Sequence, residues 1–292
     1  MENVAVKTRT VQRIASAERT LEGEGVPIRR AFPTRVLADI DPFLLLDHLG
    51  PVDLGPGEAK GFPSHPHRGF ETVSYVLDGQ LEHRDSYGNH GRLGPGDLQW
   101  MTAGSGLVHS EMPSAEIARN GGRLQMFQLW VNLPQRDKMT PPRYQELTGG
   151  RIPTVERAGA TARVIAGEAL GVRGLIETRI PIVYLHVTLA PGAKLDQSVP
   201  RSRNAFVYVM KGEVEVADGA LAKEGQFAIF EHDADDIVVT NASASPADFL
   251  LIAGEPLNEP VARYGPFVMN TRQELVQAYE DFQNGRMGRL SA

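Results

Sequence analysis

Residues 75–82, YVLDGQLE, return at 208–215 as YVMKGEVE, a shift of 133 positions. Downstream, Pro95-Gly96-Asp97-Leu98 lies against Glu224-Gly225-Gln226-Phe227 with a shift of 129, so the first copy carries the longer hairpin. A chain built on such a repeat folds one unit twice. The unit is β. In 70–77 (FETVSYVL), Glu71, Val73, Tyr75 and Leu77 share one face, with Thr72 and Ser74 on the other. In 125–133, Phe127, Leu129, Val131 and Leu133 alternate with Gln128, Trp130 and Asn132. Runs at 182–189, 205–210, 213–216, 226–230, 236–240 and 248–253 read the same way. Gly79, Gly94-Pro95-Gly96, Pro191-Gly192, Gly212 and Gly225 punctuate them. Many short strands at this spacing predict an all-β sandwich or barrel.

The repeat also divides the chain. A Pro-rich, charged stretch, PQRDKMTPPRYQE, separates the copies. The expected organisation is a first β domain over 1–136, a linker over 137–146 and a second β domain over 147–292. Helical signal is confined to the end. Thr271-Arg272-Gln273-Glu274 has the form of a capping box, with Leu275, Tyr279 and Phe282 at i, i+4 and i+7 and Gly285 as the stop. This predicts one amphipathic helix packed on the β body.

Chemistry concentrates in two short stretches of the first copy, His65-Pro66-His67 and His109-Ser110-Glu111. Each is a pair at i, i+2, which on a strand places both side chains on one face. Three imidazoles and one carboxylate converging inside a barrel would make a mixed nitrogen and oxygen metal site. Ala103-Gly104-Ser105-Gly106 precedes the second pair and lets the backbone bend sharply. The repeat tests the idea. A shift of 133 carries His65 and His67 onto Ser198 and Pro200, and a shift of 129 carries His109 and Glu111 onto Val238 and Thr240. The second copy keeps the strands and drops all four residues, so the fold does not require them. Such a ligand set suits Fe(II), Mn, Ni, Cu or Zn without choosing among them.

The remaining candidates carry less. His48, His90 and His232 sit in loop-like surroundings, and His186 points away from Val183, Leu185, Val187 and Leu189; all four read as non-functional. His83 reads as solvent-facing on a strand, Glu71 as a buried hydrogen-bonding carboxylate, Arg68 as a surface ion pair and Arg29-Arg30 as a solvated loop. With 292 residues, no cysteine and a net charge of −6, disulfides, thiolate ligation and a strongly basic nucleic-acid-binding body are excluded. No apolar run approaches the ~20 residues that span a bilayer, and the first ten residues lack the apolar core of a secretory signal. A soluble cytoplasmic protein, without membrane association or direct nucleic-acid binding, is expected.

The segments HPHRGFETVSYVLDG (65–79) and GPGDLQWMTAGSGLVHSEMP (94–113) resemble the pirin family of the cupin superfamily. The likeness continues through LWVNLP (129–134), YQEL (144–147), GEALG (167–171) and LIAGEPLNEPVARYGPFVMNT (251–271), nearly the whole chain. It implies a bicupin of two stacked antiparallel, jelly-roll-like β-barrels with a C-terminal α-helix and a metal in the first barrel alone. It also implies the ligands His65, His67, His109 and Glu111, with Fe(II) as the metal. Some pirins are quercetin 2,3-dioxygenases, so the resemblance implies a flavonol-like substrate and O2 acting on a monomer. Glu111 is then the general base for the flavonol 3-hydroxyl, and Val73, Tyr75, Trp100 and Met101 are the apolar lining. Other pirins are regulators, which implies as the alternative a metal- or redox-dependent binding protein with a protein partner.

Overall fold

The computed structural model describes residues 7–217 and 219–290 of the chain. They form two compact β units. One comprises Glu18–Arg151 with residues 257–290, the other residues 7–17 with Ile152–Pro256.

The first unit has a seven-stranded antiparallel sheet in the order Arg143–Leu147, Leu98–Thr102, Phe70–Asp78, Gly122–Asn132, Phe43–Leu54, Val26–Phe32 and Glu18–Glu22. A four-stranded sheet runs Phe62–His67, Leu107–Pro113, Leu81–Asp85, His90–Leu93. The second unit repeats this plan. Its large sheet runs Val11–Ser16, Gln226–Phe230, Asn204–Lys211, Ala247–Gly254, Ile182–Leu189, Ala160–Ala166, Thr154–Arg157, and its small sheet Lys194–Ser198, Asp236–Thr240, Glu213–Ala217, Ala220–Lys223. The period-two runs therefore fall on strands as expected, with ends displaced by at most a few residues. Ala-, Val- and Leu-rich inner faces close the second unit's core, with Val164, Leu185, Val207, Val214, Phe249 and Leu251 fully buried. The expected mainly β, two-unit architecture holds, but the sheets do not close into barrels: each unit pairs an open seven-stranded sheet with an open four-stranded one.

Strand pairing refines the repeat. His65 stands opposite His109, and in the second unit Asp196 stands opposite Val238 and Ser198 opposite Asp236. Asp196 and Ser198, both exposed, thus occupy the places of His65 and His67. Either alignment leaves the second unit without histidines there.

The chain ends are grouped differently from the 1–136 and 147–292 division. Val11–Ser16 pairs with Gln226–Phe230 of the second unit, and the C-terminal helix Arg272–Gln283 packs in the first, where Leu275 and Ala278 meet Val108, Phe267 and Met269. The 137–146 stretch is no free linker. Arg143–Leu147 is the edge strand beside Leu98–Thr102, and Lys138 is buried, its Nζ donating to Gly69 O, Asn132 Oδ1 and Val268 O. The capping box forms as predicted, Thr271 Oγ1 accepting from the Glu274 amide and the Glu274 carboxylate accepting from the Thr271 amide. No helix among the described residues is long and apolar enough to cross a membrane.

His48 departs from its loop-like reading. It lies in the strand Phe43–Leu54, fully buried, stacked on Phe127 at 4.2 Å between centroids and 2.9 Å from Gln125 Nε2. Burial lowers its pKa to about 3. The unfolded chain protonates this ring near the ordinary value of 6.5 while the folded chain keeps it neutral. Stability contributed by the neutral ring is therefore complete above 6.5 and falls as pH drops from there toward 3, by up to ~1.4 kcal/mol per pH unit. Urea denaturation between pH 4.5 and 7 will show the loss, and His48→Gln will flatten it; an unchanged slope in the variant contradicts this assignment.

Candidate metal centre

The centre is built where the small sheet meets the start of Phe70–Asp78. Pairing of Phe62–His67 with Leu107–Pro113 sets His65 across from His109 and His67 across from Leu107, so three imidazoles share one face. Their ring centroids lie 4.4 to 4.9 Å apart. One ligand nitrogen from each of His65, His67 and His109 falls within 4.8 Å of the others, and this is the one such group of three among the described residues. Gly69 follows the first pair at φ +89°, and a side chain there would collide with the Val268 carbonyl. Only glycine lets the chain turn so tightly beside that segment.

The donor set fits a metal ion. Both ring nitrogens of His109 are buried without a hydrogen-bond partner. Leaving a buried polar atom unpaired costs ~1–3 kcal/mol, a cost that a cation between the rings removes for the nitrogen that ligates it. His65 Nδ1 lies 2.7 Å from Pro63 O and its Nε2 3.1 Å from His67 Nε2. The first contact is a donation from Nδ1–H, which leaves the Nε2 lone pair facing the shared space. Burial holds the pKa values of His67 and His109 well below the ordinary imidazole range, so both rings are neutral and their lone pairs free.

Glu111 enters differently. A bulge falls between His109 and Glu111, and the carboxylate does not join the three-histidine group. Its Oε1 accepts from Ser74 Oγ and its Oε2 from Gln128 Nε2 at 2.8 Å. These two donors come from neighbouring strands of the large sheet, where Ser74 pairs with Gln128 and Thr72 with Trp130.

That pairing corrects the expected lining. A cleft of about 550 Å³ opens onto His65 and His67 and is lined by Phe62, Gln128, Trp130 and Arg263. Trp130 meets His67 edge-on at 5.1 Å and packs on Phe70 at 4.4 Å. Val73, Tyr75 and Trp100 lie on the opposite face of the same sheet, since Val73 pairs with Leu129 and Trp100, and Tyr75 with Phe127. Met101 is fully buried against Ala103 and Leu107 rather than lining the cleft. Both faces of this sheet are buried, and alternation tells which residues share a face without telling which face borders the site.

Other side chains move from surface to interior. Arg68 is buried, its Nε donating to Ser105 O at 2.7 Å and its Nη1 to Asp281 Oδ2 of the C-terminal helix at 2.8 Å. Arg30 lies in Val26–Phe32 and pairs with Asp47 at 2.6 Å and Glu22 at 2.7 Å beside the cleft. His83 is buried, stacked on Tyr144 and 3.0 Å from Glu146 Oε1. Glu71 is the expected buried carboxylate, accepting from Thr102 Oγ1 at 2.6 Å. His90 departs from its loop-like reading, standing exposed at the start of the strand His90–Leu93; His232 bonds Asn204 from a loop, and His186 lies on a strand of the second unit. Sequence reasoning misses Ser74, Gln128 and Trp130, although polar residues inside buried strands are themselves a signal. Arg263 has no local signal at all.

Comparison with known proteins decides the family. Residues 25–131 match the Pirin family and residues 184–288 match the Pirin C-terminal cupin domain. This chain belongs to the pirin family. Human pirin is 45% identical over 270 residues, covering 91% of this chain and 90% of its own. A Pseudomonas aeruginosa protein, provisionally named a quercetin 2,3-dioxygenase, is 45% identical over 276 residues, covering 93% and 95%. The crystal structure of an Acinetobacter baumannii quercetin 2,3-dioxygenase superposes with a TM-score of 0.91 at 37% identity, over 98% of this chain and all of that one. This pirin thus combines the family's paired cupin domains with a histidine cluster able to hold a metal.

Proposed function

We propose that this chain is an iron-dependent dioxygenase of the quercetin 2,3-dioxygenase type, opening a flavonol ring with O2 and releasing carbon monoxide. The observation that carries the reading is the cleft onto the triad. Its ~550 Å³ lies within the roughly 300–1,000 Å³ range of small-molecule sites, and Trp130 and Phe62 supply the aromatic walls a planar polyphenol needs. The names of the Pseudomonas and Acinetobacter proteins agree with it.

His65, His67 and His109 would hold the iron, with Glu111 as the fourth ligand. Bound iron supplies Lewis acidity toward the substrate oxygens and electron exchange with O2. Glu111 takes the proton of the flavonol 3-hydroxyl at a carboxylate oxygen, and Ser74 and Gln128 hold that carboxylate in place. Phe62 and Trp130, the latter backed by Phe70, exclude water from the reacting ring.

Glu111→Gln keeps the shape and loses the base. Turnover should fall ~10²–10⁴-fold, the usual contribution of a positioned proton acceptor; a kcat within tenfold of wild type contradicts the role. The reading itself is tested by loading iron anaerobically, adding quercetin and admitting air. Loss of quercetin with release of carbon monoxide is expected, and no loss above a His109→Ala control overturns it. A redox-dependent regulator would instead show partner capture that follows the oxidation state of the iron.

A further inference from the structure

The cleft is lined by two cations, and they are not equivalent. Arg30 is neutralised on both sides, by Asp47 at 2.6 Å and Glu22 at 2.7 Å. Arg263, on the short strand Ala262–Tyr264, makes no such ion pair among the described residues; Asp47, Asp39 and Glu22 act on it only from longer range. Its guanidinium lies over the Trp130 ring at 4.9 Å, and only Nη1 is engaged, donating to Leu44 O at 3.0 Å. Of five N–H donors the rest are free for a ligand. Burial lowers the pKa of Arg263 and Arg30 adds to the fall, while Asp47, Asp39 and Glu22 oppose it from longer range; a guanidinium stays charged, so a partly desolvated cation with no carboxylate in contact stands beside the site. Trp130 links it to the triad, 5.1 Å from His67 on one side and 4.9 Å from Arg263 on the other. The remaining acid of the lining, Glu24, accepts from the Gly61 amide at 3.2 Å.

We propose that Arg263 sets the substrate class of this cleft: an aromatic chelator whose far end, away from the histidines, carries a carboxylate or ionised phenol. The proposal rests on the oxygenase reading of the same cleft and narrows it. One end of the ligand reaches the metal, the ring lies along Trp130, and the anionic end takes the free guanidinium donors. Arg263 acts on binding and takes no part in bond breaking, so its loss should raise KM for anionic substrates and leave kcat unchanged.

The test compares 3,4-dihydroxybenzoate with its methyl ester, which presents the same catechol without the carboxylate. Binding is measured by calorimetry on the zinc-loaded full chain, which leaves both catechols unoxidised. Wild type should bind the acid ~10-fold or more tighter than the ester, the effect of one charge-assisted pair. In Arg263→Gln the preference should vanish with ester affinity within about twofold of wild type, and Arg263→Lys should restore part of it. A preference that survives Arg263→Gln, or equal binding of acid and ester by wild type, overturns the assignment. The two levels fail separately. Quercetin consumption without any acid preference leaves the oxygenase and removes Arg263. An acid preference lost in Arg263→Gln, in a protein that never consumes quercetin, keeps Arg263 and removes the oxygenase.

Discussion

Replacing His109 with alanine should empty the site of metal. His109 is the triad member whose two nitrogens have no other partner, so nothing in the protein competes for them and nothing replaces them. With His109 gone, two imidazoles remain, and a first-row cation held by two nitrogens exchanges readily with solvent. Loss of an outer partner of a ligand already costs ~10–100-fold in metal affinity; loss of a ligand should exceed that. Elemental analysis of purified wild type should give about one metal per chain, and of His109→Ala a small fraction of that. The fold should survive, because the second unit builds the same sheets with Val238 at the matching place. Full metal occupancy in the variant would show that the ion sits elsewhere.

The largest loss of stability is expected from Asp281→Ala. Asp281 is the anionic partner of Arg68, a pair at 2.8 Å with side chains 5% and 12% exposed. Its other oxygen accepts from Arg286 and from Gln277 Nε2. Truncating it strands the more buried partner, and an uncompensated buried charge costs ~3–5 kcal/mol. For a unit of this size the melting temperature should drop by more than ~6 °C. The effect should reach the metal centre too. Arg68 follows His67 directly, and its Nε holds the Ser105 carbonyl in the turn that leads into the His109 strand. Metal affinity should therefore weaken together with stability, while Asp281→Asn, which keeps a hydrogen-bond acceptor, should lie between. A melting temperature within 2 °C of wild type would mean that the pair is solvated.

The sequence carried the triad because its information is local. An i, i+2 pair fixes a shared face on any strand, and the repeat showed which polar residues the fold could spare. Glu111 was only half legible, because the bulge after His109 is a property of how two strands pair and leaves no mark in HSE. The lining was misread for a related reason. FETVSYVL is buried on both faces, so its alternation does not say that the polar face, where Ser74 contacts Glu111, is the one that borders the site. Contacts across long separations were beyond reach. Val11–Ser16 has an irregular polarity pattern that points to no partner, and its pairing with Gln226–Phe230 spans more than 200 positions. Arg68–Asp281, Lys138–Val268 and Arg263–Trp130 all tie residues 257–290 to the 18–151 part of the same unit, and each looks like an ordinary surface charge until the chain folds.

The central claim is the position of the metal. X-ray absorption and anomalous diffraction at the iron edge, on crystals of the iron-loaded protein, measure this without reference to any substrate. The prediction is a single iron bound by nitrogens of His65, His67 and His109 and by an oxygen of Glu111. An iron bound elsewhere, or a triad that stays empty in excess Fe(II), would contradict it.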